Sequence, residues 1–162
     1  MGLDVSVYKN IKRTDVEDEI DFTAFVIDES WKYKSKNLED GKDYKGEPTD
    51  ADVRYAYSTH NRFRETLLKI IGRNDLLLEN GKIDWVRIEN EKQMPFYELI
   101  WFADNEGCLD FEISNILYND FLKYKELAVK YLADDDYTLQ KYLDWLNVFL
   151  DGKEANSVVV FS

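Results

Sequence analysis

Two amphipathic stripes in the last third of the chain constrain what it can fold into. Ile113, Ile116, Leu117, Phe121, Tyr124, Leu127, Ala128 and Tyr131 recur at helical spacing over about five turns. After the break "ADDDYT" a second stripe runs through Leu139, Tyr142, Leu143, Leu146, Phe149 and Leu150 as far as Gly152, with Asp135 or Asp136 placed to cap its start. A helix with such a face must bury it against another layer. Strand-like segments supply that layer. "MGLDVSV" alternates Leu3, Val5 and Val7 with Asp4 and Ser6, "FTAFVI" (22–27) is rich in β-branched and aromatic residues, and "NSVVVFS" closes the chain. "PFYELIWFA" (95–103) is apolar on both alternating faces and reads as a central strand.

Between these segments, "KNIKRTDVEDEID" reads as a polar connection. Residues 28–53 form a polar stretch punctuated by Trp31, Tyr33 and Tyr44, with Gly41, Gly46 and Pro48 as breakers and room for a short hairpin. "RYAYSTHNRFRETLLKIIG" predicts a helix with Ser58 as N-cap and Gly72 as its left-handed terminator. His60, Phe63, Arg64, Leu67, Leu68 and Ile71 share its core side, while Arg62, Thr66, Lys69 and Arg73 lie on the other. Asn80-Gly81 marks a hairpin-type turn. The expectation is one α+β domain over residues 1–162, a mostly antiparallel or mixed sheet packed by three principal helices.

Charge excludes some roles. The 33 Asp and Glu against 21 Lys and Arg give a net charge of -12, which repels phosphate backbones and anionic membranes, so direct nucleic-acid binding is not expected and a basic protein partner is. The single cysteine, Cys108, rules out an internal disulfide framework and suits a reducing compartment. With no signal-like start and no run near the roughly 18 apolar residues of a membrane span, the expected location is the cytoplasm. "MGLDVS" also matches the pattern for N-myristoylation, but the same letters spell a half-buried strand, which is the reading adopted.

"FADNEGCLDFE" (102–112) puts four carboxylates into eleven residues. Asp110 falls at the N-cap of the helix that follows and Glu112 in its first turn, each worth roughly 0.5–1 kcal/mol to a helix start. Asp104 and Glu106 stand in a turn and are the candidate ligands for a divalent cation, the only cofactor considered. Arg64 on an apolar helix face needs an acceptor, and Asp104 and Glu106 are candidate partners for a bidentate pair. The same residues with His60 could instead line a polar pocket in which the imidazole exchanges a proton near neutral pH. Cys108 has acidic neighbours and no activating group, and Asp134, Asp135 and Asp136 read as a solvated cap. No phosphate-cradling Gly-rich loop, H-E-x-x-H pair or nucleophile elbow occurs.

Three segments, "MGLDV", "YSTHNRFRETL" and "PFYELIWFADNEGCLDFE" with a later "NDF", carry a resemblance to a family of small bacterial and phage-borne proteins. A Tyr-Ser pair leading into an Arg-containing helix and an F-x-D-x-E-G turn mark it, matched here by Tyr57, Ser58, Arg64, Phe102, Asp104, Glu106 and Gly107. The family's "F-S-D-C-E-G" is "FADNEG" here, with the cysteine one residue after Gly107, which argues against sulfur chemistry at a fixed place. The resemblance implies a phage or mobile-element association and brings no activity. Two functions follow as expectations. One is a non-catalytic acidic interaction protein of immunity or inhibitor type. The other is a small metal-assisted enzyme or ligand-binding domain using His60, Arg64, Asp104 and Glu106.

Overall fold

The computed structural model of the chain describes residues 2–25, 36–102 and 107–162. Five strands form one curled, fully antiparallel sheet: β1 (Gly2–Arg13), β2 (Phe22–Thr23), β3 (Asp43–Ala56), β4 (Gly107–Asp110) and β5 (Val158–Phe161), in the order β2-β3-β1-β5-β4. The helices among the described residues are, in chain order, α1 (Tyr57–Ile70), α2 (Trp85–Ile88), α3 (Tyr97–Trp101), α4 (Phe111–Lys123), α5 (Lys125–Tyr131) and α6 (Asp136–Gly152), of which α2 and α3 are short. The α+β expectation holds, with four substantial helices because the first C-terminal stripe breaks at Tyr124.

The first strand is central. Its alternation places Leu3, Val5 and Val7 on the face toward the helices, in register with Tyr55 and Val53 of β3 and with Phe161 and Val159 of β5. On that side they meet Phe63, Leu67, Phe121, Trp145 and Phe149 in the main core. The opposite face carries a smaller cluster in which Phe22 stacks between Tyr8 and Tyr44, with Cys108, Val158 and Leu38 nearby. Among the described residues no helix is long and apolar enough to cross a membrane.

Several expectations are corrected. "PFYELIWFA" is not a strand: Tyr97–Trp101 is a short helix entered from Phe96 at φ 62°, and Phe96, Tyr97, Leu99, Ile100 and Phe102 are all buried. An apolar run covered on every side lacks the periodicity that separates helix from strand. The "polar connection" after residue 8 begins as strand, since β1 continues to Arg13 through an irregular register at Asn10 (φ 51°). Gly46 and Pro48 lie inside β3 rather than breaking the chain. Pro48 sits beside a register shift and beyond the two residues that pair with β2, where a missing N–H is tolerated. Residues 28–35 of the expected polar stretch lie outside the described residues, as do residues 26–27 at the end of the "FTAFVI" segment.

Helix ends divide in the same way. Asp110 caps α4 by accepting from Ile113 N–H at 3.0 Å, and Asp135 caps α6 by accepting from Thr138 N–H at 3.0 Å, both as expected. Ser58 does not cap α1. The chain passes straight from β3 into the helix, leaving Ala56 at the cap position with no side-chain bond. Gly72 (φ +76°) does terminate α1, its N–H reaching Lys69 O at 3.1 Å while Arg73 N–H reaches Leu68 O at 2.9 Å. Asn80-Gly81 turns a minimal hairpin closed by a Leu77–Ile83 bridge. Ile116, Leu127, Tyr131 and Leu150, placed on the buried stripes by spacing, are 43–54% exposed.

Gly152 lies within the last turn of α6 and is required there for space, not for a left-handed backbone. A Cβ at this position would stand 2.6 Å from Val159 Cγ2 and 3.1 Å from Ser114 Oγ. Gly→Ala in an open helix stabilises by up to about 1 kcal/mol, so the sign is diagnostic. Gly152→Ala is expected to destabilise by about 1–3 kcal/mol through overpacking, read as a lower urea midpoint at unchanged m-value.

Candidate functional site

The buried polar groups of the core meet where α1, β3 and α6 converge. Trp145 Nε1 donates to Tyr55 Oη at 2.8 Å, and Tyr55 Oη lies 2.7 Å from His60 Nδ1. An indole nitrogen can only donate, so Tyr55 accepts from it, and a Tyr55 hydroxyl that donates to His60 Nδ1 is the arrangement that leaves fewest buried polar atoms unpaired. His60 Nδ1 is therefore the acceptor and Nε2 carries the hydrogen, with no partner for it among the described residues. His60 is wholly buried. Burial, reinforced by the Arg64 charge, holds its pKa well below the ordinary 6.5, and burial likewise raises the Tyr55 phenol. Burial thus favours the neutral form of both groups near pH 7.

Arg64 is held on the same helix face, 4% exposed. Its Nη1 donates to the carbonyls of Ile100 at 3.0 Å and Phe102 at 3.1 Å, its Nη2 donates to Asn61 Oδ1, and its guanidinium lies 5.0 Å from the centre of the Trp85 ring. The guanidinium thus satisfies carbonyls at the end of α3, which have no partner in their own helix, and clamps that end to α1. Asp104 and Glu106, the expected carboxylate partners and candidate cation ligands, lie outside the described residues. Among the described residues no three His, Cys, Asp or Glu side chains are grouped to hold a metal ion. Cys108 is buried, and its thiol is pushed up to about 12 by that burial, which leaves it protonated and unreactive.

Beside the Trp145–Tyr55–His60 chain, a cleft of about 330 Å³ opens between α1 and the start of α6. The rings of Tyr55 and Phe63 line it together with Arg62, Tyr137, Thr138 and Lys141. Nothing in the sequence foretold it. Arg62 falls on the solvent side of α1 by periodicity, while Tyr137 and Lys141 belong to a different helix and meet it only through packing. No family model, curated protein or solved structure shows a significant match to the chain.

Two expected outcomes test this geometry. Arg64→Met removes the guanidinium bonds to the Ile100 and Phe102 carbonyls and to Asn61, and is expected to lower unfolding free energy by about 2–4 kcal/mol, with Arg64→Lys recovering less than half. The second concerns pH. Below 6.5 the unfolded chain protonates His60 and the native state does not, so stability falls on acidification by up to about 1.4 kcal/mol per pH unit. Asp120 acts with the opposite sign. Burial first, then the Glu98 charge, raise its pKa from 3.8 to about 6, so the native state binds the extra proton and stability falls as pH rises through that window. Asp120→Asn keeps an acceptor for Phe96 N–H, bonded at 3.0 Å, and is expected to steepen the acid loss between pH 6 and 4. In the same protein the ring protons of the single histidine should show no titration between pH 6 and 8 by NMR; a midpoint near 6.5 would sink the buried, neutral assignment.

Proposed function

We propose that the chain is a non-catalytic interaction protein that engages a basic protein partner through the turn joining β1 to β2. One observation carries this reading. Asp15, Glu17, Asp18, Glu19 and Asp21 are all exposed, and between them Val16 and Ile20 stand 54% and 36% exposed. The short 3-10 turn Glu17–Glu19 holds the segment, with Glu19 bound to Lys45 at 2.5 Å and Asp21 accepting from Gly46 N–H at 2.8 Å, so its ends are anchored to β3. Carboxylates around two exposed aliphatic side chains suit a partner that presents Lys or Arg around an apolar contact. Long-range attraction sets the encounter rate and the aliphatic pair contributes contact area.

The neutral state of His60 and Tyr55 supports a role without proton transfer, and the overall charge of -12 supports a basic partner over nucleic acid. A cytoplasmic inhibitor- or immunity-type role in a phage or mobile element is the setting this reading favours.

A lysine-rich peptide with interspersed leucines is a suitable probe, titrated calorimetrically at two salt concentrations. Asp15→Asn, Glu17→Gln and Asp18→Asn combined are expected to weaken binding about tenfold at low salt and to flatten its salt dependence. Val16→Ser with Ile20→Ser should weaken it at both salt levels. Unfolding midpoints should stay near the parent's, since these side chains are exposed. Parent-like affinity in both variants would remove the turn as the docking surface.

A further inference from the structure

The cleft between α1 and the start of α6 gathers two cations in a molecule that is acidic as a whole. In a chain with 33 acidic and 21 basic residues, its lining includes Arg62 and Lys141. The one carboxylate among the residues lining it, Asp135, is engaged on both oxygens by Thr138, through N–H at 3.0 Å and hydroxyl at 2.7 Å, as the cap of α6. Arg13, Arg54, Arg73 and Arg87 each reach a carboxylate. Arg62 reaches none among the described residues, and its Nη2 donates to the Thr59 hydroxyl at 3.5 Å.

Lys141 is held differently. Its ammonium lies 5.8 Å from the Tyr55 ring centre and 5.6 Å from that of Tyr137, with Asp144 at 3.5 Å on its own helix. Two rings and one carboxylate therefore fix the charge without using all three of its donors. The floor is apolar because the Tyr55 hydroxyl is turned into the core toward His60 and Trp145, leaving its ring beside that of Phe63. Two cations, hydroxyls and an aromatic floor in about 330 Å³ match the size and polarity of small-ligand sites.

We propose that this cleft binds a small oxyanion joined to a flat ring, with the oxyanion between Arg62 and Lys141 and the ring against Tyr55 and Phe63. A nucleoside monophosphate and an aromatic carboxylate are two sources of this chemistry. The inference goes beyond the acidic-turn reading and is independent of it, since none of its residues belongs to that turn.

Calorimetric titration of the full chain at low salt, with adenosine monophosphate, benzoate, adenosine and inorganic phosphate as separate probes, decides it. Adenosine monophosphate or benzoate should give a saturable one-site isotherm, with adenosine and inorganic phosphate each weaker than the combined ligand. Which of the two binds more tightly identifies the source. Arg62→Gln should weaken that binding about tenfold with an unchanged unfolding midpoint, because the side chain is exposed. Lys69→Gln, an exposed cation on the same helix outside the cleft, should leave it unchanged. Absence of saturable binding by both anions, equal weakening by the two variants, or inorganic phosphate binding as tightly as the ring-bearing probes would overturn the proposal.

Discussion

The hydrogen-bond chain from Trp145 through Tyr55 to His60 is the contact on which the helical layer depends. It joins α6, β3 and α1 at one buried point, and its members cannot be exchanged independently, because each polar atom left without its partner in the core costs about 1–3 kcal/mol. Trp145 also packs its ring against Phe149 at 5.5 Å, His60 at 5.9 Å and Phe161 at 5.8 Å, so the same residue that supplies the first donor fills the space between helix and sheet. The cleft is a consequence of this arrangement. Turning the Tyr55 hydroxyl inward leaves its ring as part of the lining, to which α1 contributes Arg62 and α6 contributes Lys141.

Charge is arranged on two scales. Several cations sit among carboxylates at the surface, as Arg73 does between Asp75 and Glu91, where exposed pairs contribute little. Arg64 is buried, and its partners include two backbone carbonyls, an amide oxygen and the Trp85 ring. That choice converts a desolvated charge into a clamp on the short helix α3, whose own length cannot hold its end in place. The exposed acidic turn between β1 and β2 and the cleft lined by Arg62 and Lys141 are distinct features of one strongly acidic chain.

Local signals were readable where the chemistry is local. Asp110 and Asp135 announce helix starts because a carboxylate placed before an amphipathic run satisfies free N–H groups. Gly72 announces a helix end because it takes a positive φ at little cost. The core side of α1 was readable from steps of three and four. Signals failed where neighbours decide. "PFYELIWFA" is buried all round and so has no face to betray its period, and the residues of β3 look polar because part of that strand lies at an edge and carries Pro48 and charged side chains toward solvent. Gly152 looked like a terminator although its reason is the approach of Val159 from another strand.

The candidate site shows the same division. That Arg64 had to find acceptors followed from its place on an apolar helix face, whereas the Ile100 and Phe102 carbonyls among those acceptors leave no mark in a sequence. His60 looked able to titrate because an unperturbed imidazole does. Only its complete burial beside Tyr55, Trp145 and Arg64 makes it a neutral acceptor. By itself the sequence determined the α+β class, the acidic surface and the faces of the longer helices, all of which rest on composition and short-range periodicity. The tertiary structure alone decided which polar groups are desolvated and which side chains from distant segments converge on one cleft, because those depend on packing between elements far apart in the chain.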